Sequence, residues 1–274
     1  MPEPGVVRFG LGPLTEVVAQ HHTFAELAPN LDATLLPVVA QERVLRGEDL
    51  RDDPRASGAD DDPPLVLQPF EPDYVLPTYR ADERIDGAVP DPSEGARDGW
   101  GELSRRSTAA VPIDAPAACS PLVRAFEDVV APWAAQSAGE VHVRAVAGDV
   151  VTAVSTLLDA AGVAGPVRCG PISTPELFAH VAHAGASGGV HGRRRGGAAG
   201  RSLAWWVARC ATGLDREVVV DAEELEFQLE DVRKVAFRTQ GEAAWRLELA
   251  LGAADGEWSV AFAAFDRTPV DEAP

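Results

Sequence analysis

Lysine is almost missing from this chain: Lys234 stands alone among 24 basic residues, and the rest are arginine. Together with abundant alanine, glycine and proline, that bias reads as GC-rich coding rather than as a functional signature. Cysteine is scarce too. Cys119, Cys169 and Cys210 are odd in number and far apart with no CxxC, which argues against a disulfide framework and a thiolate zinc site. No apolar run approaches the roughly 18 residues needed to cross a bilayer. Residues 1–12 lack a basic stretch followed by a continuous apolar one, so no secretion signal is expected, and the expected location is cytoplasmic. Missing as well are GxxxxGK[ST], a GxGxxG after a strand, GxSxG, HExxH and the kinase motif set. The sequence therefore nominates no catalytic residue and no cofactor.

What is present is acidity and enough apolar matter to fold. Asp and Glu number 43 and the net charge is −19, which opposes binding to phosphate backbones or anionic membranes. The hydrophobic fraction of 46% suffices for a sizeable core. Periodicity divides the chain into four parts. Residues 1–47 hold two helical patterns, one from Pro13 to about His22 and one from Asp32 to a stop at Gly47. Residues 48–64 are acidic and poor in large apolar groups, a composition expected of a mobile linker. Residues 65–116 are broken by proline and glycine and read as extended and loop-rich, so the N-terminal region is expected to be partly disordered.

Residues 117–270 look like a folded α+β domain. Ser120-Pro121 opens a helix that Pro132 is expected to kink or stop. Val141, Val143 and Ala145 alternate as a strand, a helix runs from Asp149 to Gly162, and a short strand covers 167–172. These lengths predict a parallel βαβ unit. Helices from Thr174 to Gly185 and from Ala198 to Thr212 follow. Trp245, Leu247, Leu249 and Leu251, then Trp258, Val260 and Phe262 across an Asp255-Gly256 turn, predict an antiparallel hairpin with one buried face.

Three features stand out as strings: APWAAQSAGEVHVRA (Ala131 to Ala145), SGGVHGRRRGGAAGR (Ser187 to Arg201), and the closing hairpin with WRLELAL and VAFAAFD. On these, Phe126 to Phe265 resembles an uncharacterised family of actinobacterial proteins carrying a domain of unknown function. The resemblance implies an actinobacterial, cytoplasmic origin for the C-terminal half and supplies no activity.

The loop 187–201 is the most unusual stretch. Gly192 and its neighbouring glycines, with Arg193, Arg194, Arg195 and Arg201, have the chemistry of an anion cradle at a helix start. The plainer reading is neutralisation inside the protein, for which Asp215–Asp231 is the nearest acidic run. Glu176, His180 and His183 form one helical stripe that, with His191, could supply a divalent metal; a solvent-facing stripe explains the same spacing. Cys119 precedes a helix start, where a thiol's pKa can fall, with His142 or His180 as a base. Trp205 and Trp206 must face different ways, one toward the core and the other toward an interface. The leading expectation is a non-catalytic acidic module that binds a protein partner, inhibitor-like or immunity-like, or a second copy of itself. An enzyme or small-anion binder using the 187–201 loop and nearby histidines is the alternative.

Overall fold

Strand-like alternation is concentrated after residue 230, and that is where the centre of the sheet lies. The computed structural model describes residues 13–56, 63–79, 85–86, 100–106, 117–217, 219–240, 243 and 245–267. The expectations for residues 1–12, for part of the acidic stretch (57–62) and for most of 80–116 lie outside the described residues. In chain order, helices α1 (Leu14–His21), α2 (Phe24–Leu27) and α3 (Leu35–Val44) come first. Short strands β1 (Thr78–Tyr79), β2 (Ile85–Asp86) and β3 (Gly101–Glu102) follow. Then come α4 (Ser120–Gln136), β4 (Glu140–Val146), α5 (Val150–Ala160), β5 (Arg168–Pro171), α6 (Thr174–Ala186), α7 (Gly197–Thr212) and α8 (Ala222–Glu230). Strands β6 (Val232–Arg238), β7 (Trp245–Ala253) and β8 (Ser259–Asp266) close the chain.

The fold is mixed α+β. β3-β5-β6-β7-β8-β4 form a six-stranded sheet in which every neighbouring pair is antiparallel. The expected strand–helix–strand unit is present as β4, α5 and β5. The two strands run in the same direction but are not partners, because β6, β7 and β8 lie between them. The three C-terminal strands thus fill the gap that a direct βαβ pairing would have closed. On one face, α4, α6 and α7 cover Leu247, Leu249, Leu251, Val260 and Phe262. On the other, α5 packs on Ala250, Ala261, Ala263 and Phe265, small residues that let the helix approach. The hairpin is therefore buried on both faces, and even Arg246 and Glu248 of β7 are inside, paired at 3.0 Å. The polar half of the alternation, expected to face water, is covered.

The N-terminal segment has its own small core of Phe24, Val39, Ala40, Val44, Leu50 and Leu65. In the acidic stretch, Leu50 and Ala56 are buried and the Leu50 amide bonds to the Leu65 carbonyl. Those residues of the expected linker are packed. Pro132 does not end α4, which continues to Gln136. The carbonyls left near the proline accept from Arg195: Nη1 reaches Asp128 O at 3.2 Å and Nη2 reaches Val129 O at 2.6 Å. A guanidinium replaces the amide donor that proline lacks.

Candidate functional site

The glycine-arginine loop between α6 and α7 meets the chain's own carboxylates. Asp266, at the end of β8, is fully buried; its Oδ2 accepts the Val190 amide at 2.6 Å and its Oδ1 the Ser137 hydroxyl at 3.0 Å. A side chain at Gly189 would collide with that carboxylate. At the α7 N-terminus, Gly196 adopts φ +100, which glycine tolerates best. The turn leaves the first helical amides free to donate. Gly197 N reaches Glu16 Oε1 at 3.2 Å and Ala198 N reaches Glu42 Oε1 at 2.8 Å. Carboxylates are favoured there by both the open N–H groups and the helix dipole.

Each loop arginine has a different task. Arg193 is exposed, and its amide bonds Gln136 Oε1 at 3.2 Å. Arg194 forks onto the buried Glu16, Nε at 2.9 Å and Nη2 at 2.8 Å. Tyr79 donates its hydroxyl to the same carboxylate at 2.5 Å, and Arg46 pairs with the adjacent Glu42 at 3.0 Å. Arg195 serves the α4 carbonyls and Gly185 O. Arg201 has no exposed surface and bonds through all its N–H groups: Glu71 twice at 2.7 Å, Gln41, Pro64 O and Val66 O. Glu71 in turn accepts from Arg201, Tyr74, Trp205 and the Gln68 amide. Neutralisation is thus internal, but the partners come from the N-terminal segment rather than from Asp215–Asp231. Gly192 packs against the Gly188 carbonyl.

The histidines separate. His180 is 3% exposed, so the expected solvent-facing stripe is not what α6 presents. His183 lies against the Trp245 ring with centroids 4.9 Å apart. His191 is exposed on the loop, and Glu176 is held by the Ser173 cap. Among the described residues, no group of three or more His, Cys, Asp or Glu side chains is placed to hold a metal ion. Burial pushes the Cys119 thiol up, the opposite of the lowering expected at a helix start. Trp205 is core, in contact with Phe70 and Phe178, while Trp206 is half-buried beneath Arg209.

Glu16, Glu42 and Glu71 were not nominated from sequence. Their signal was present: Glu42 sits three residues from both Val39 and Leu45, inside an apolar pattern. Burial raises the Glu16 carboxyl, but the Arg194 guanidinium and Tyr79 hydroxyl outweigh it and hold it below the usual range. At Glu71 burial is likewise outweighed, by Arg201. Glu42 goes the other way, raised by burial and then by the neighbouring Glu16 charge. The consequences for stability have opposite signs. Glu16 and Glu71 stabilise above an unfolded value of 4.5, and that contribution is lost as pH falls through their lower folded values. Glu42 favours the fold progressively as pH falls toward 4.5 from above. A pH series of thermal unfolding is therefore expected to peak on the mildly acid side and drop steeply below about pH 4.5. A profile flat from pH 7 to 3 would contradict this arrangement.

These contacts join the two halves of the chain, and the comparison with known proteins has the same extent. A family of unknown function, DUF6183, matches residues 7–268. The chain belongs to the DUF6183 family. The family region therefore takes in the N-terminal segment as well as the sheet, not the C-terminal half alone. No protein of curated function and no solved structure matches this DUF6183 chain. No helix among the described residues is long and apolar enough to cross a membrane.

Proposed function

We propose that this protein is a non-catalytic binding module whose partner is a basic protein, recognised through the outer face of α8. The observation that carries the reading is Phe227, a large apolar side chain left 63% exposed on an acidic helix. Leu225 and Leu229 anchor α8 in the core, so the opposite face is presented by design of the pattern. One turn either side of Phe227 stand Glu223, Glu224, Glu230 and Asp231, all exposed. Among the described residues, Glu223, Glu224, Glu226 and Glu230 are in no ion pair. Arg194 and Arg201 are paired with Glu16 and Glu71, so the acidic run is left with the Asp221 cap of α8 and the nearby Lys234 charge beside Glu230 as its uses inside the fold. An exposed aromatic ringed by carboxylates suits a partner that offers an apolar socket rimmed by arginine or lysine. The overall −19 charge favours fast encounter with such a surface and disfavours nucleic acid. The single lysine and the unpaired cysteines support a cytoplasmic, actinobacterial setting.

The test compares wild type with Phe227→Ser and with a Glu223→Lys/Glu224→Lys double variant in affinity capture at low and moderate salt. Phe227→Ser is expected to leave the thermal midpoint almost unchanged and to weaken capture of a basic protein about 30-fold, the size of a hot-spot loss of ~2 kcal/mol. The charge-reversal variant is expected to abolish the salt-sensitive part. Equal capture by all three proteins would refute the reading.

A further inference from the structure

A small cleft opens where the N-terminal segment meets α6, and the proposed partner face on α8 contributes nothing to it. Its walls include Leu76, Ala179 and Ala182, with Asp73, His183 and Arg194 among the polar lining. The space accessible to the centre of a water-sized sphere is about 80 Å³, room for a ligand of a few heavy atoms. Arg194 and His183 are the two residues that the cleft brings together from the loop and the histidine stripe. The guanidinium is oriented by its fork onto Glu16, which uses Nε and Nη2, with the Tyr79 hydroxyl beside it; Nη1 is not part of the fork. Gly197, the first residue of α7, also lines the space, so the positive end of that helix adds to the guanidinium. Glu16, Glu42 and the lining Asp73 offset these charges; the first two are already bound to donors of their own, and Asp73 is exposed to solvent, where its charge is screened. A pre-oriented donor at one end of an apolar cleft between two parts of a chain is the usual design of a small-molecule site.

We propose that this cleft binds a small branched aliphatic carboxylate, its carboxylate on Nη1 of Arg194 and its hydrocarbon against Leu76, Ala179 and Ala182. The position at the seam means that such a ligand would touch both halves of the chain at once.

Isovalerate is the probe, with 3-methylbutan-1-ol and isoamylamine as neutral and cationic controls, each titrated into the full chain and followed by thermal shift and by NMR. A ligand of this size is expected to bind with a dissociation constant on the order of 1 mM. Isovalerate should raise the thermal midpoint saturably, while the alcohol and the amine should not. Ala179→Leu fills the cleft from a half-buried position and is expected to weaken isovalerate at least 10-fold while the unliganded midpoint changes little. Arg194→Lys keeps the charge but removes the fork, and should erase the preference for carboxylate over alcohol. Phe227→Ser should bind isovalerate as wild type does, which separates this site from the partner face. No saturable response to isovalerate, equal response to the alcohol, or an Ala179→Leu protein that binds as well as wild type would each overturn the proposal.

Discussion

Arg201→Met is expected to destabilise the protein by about 3–5 kcal/mol, because it strands the Glu71 carboxylate in the interior. The substitution nearly preserves volume and hydrocarbon, so the loss is not one of packing. Three donors would remain on Glu71, from Tyr74, Trp205 and the Gln68 amide, against a full negative charge. The freed Gln41 side chain and the carbonyls of Pro64 and Val66 would lose a donor each. A double-mutant cycle separates the two contributions. Glu71→Gln added to Arg201→Met removes the buried charge and is expected to recover a large part of the loss, since an absent pair costs less than a broken one. Urea unfolding of the four proteins gives the coupling. An Arg201→Met protein within about 1 kcal/mol of wild type would mean that the pair does not hold the seam.

Gly200→Val carries the second large effect. Glycine inside a helix costs about 0.8–1.0 kcal/mol relative to alanine, so propensity alone favours replacement. Packing decides otherwise. A Cβ at Gly200 would lie 2.3 Å from the Ala182 carbonyl oxygen and 3.0 Å from the Ala186 Cβ, where α6 and α7 cross. The first of these atoms is backbone and cannot rotate away. Gly200→Ala is expected to lower stability by about 1–3 kcal/mol net and Gly200→Val by more, with far-ultraviolet dichroism little changed. The same displacement would move Arg201, next in the chain, away from Glu71. A higher midpoint for Gly200→Ala would show that the helices have slack.

Much of the secondary structure was readable from spacing alone. The helices from Ser120, Asp149, Thr174 and Ala198 and the closing hairpin stand close to where their apolar periods put them. Strand order was not readable, since alternation reports which face is buried and not which strand is the neighbour. Nor was the burial of Arg246 and Glu248, whose place in the pattern marks them as solvent-facing until a second layer covers them. The site shows the limit most plainly. Arginine, glycine and a helix start suggest an anion cradle, and the carboxylates that meet two of these arginines in the fold lie 178 residues away for Arg194 and 130 for Arg201. Local pattern specifies the receptor end of such a contact and carries nothing about a partner that distant. Phe227 was obscured for a different reason: within AEELEFQLE it fits a helix that is apolar on one side, and only the placement of Leu225 and Leu229 shows which side it is.

The carboxylates that fill the glycine-arginine loop also set the size of the heritable folding unit. A polypeptide beginning at α4 would hold every strand from β4 onward, yet it would carry naked guanidinium groups and an open helix end where Glu16, Glu42 and Glu71 belong. Boundaries drawn around the sheet would cut through the electrostatic joint, so the described segments before Tyr79 act less as an appendage than as a keystone.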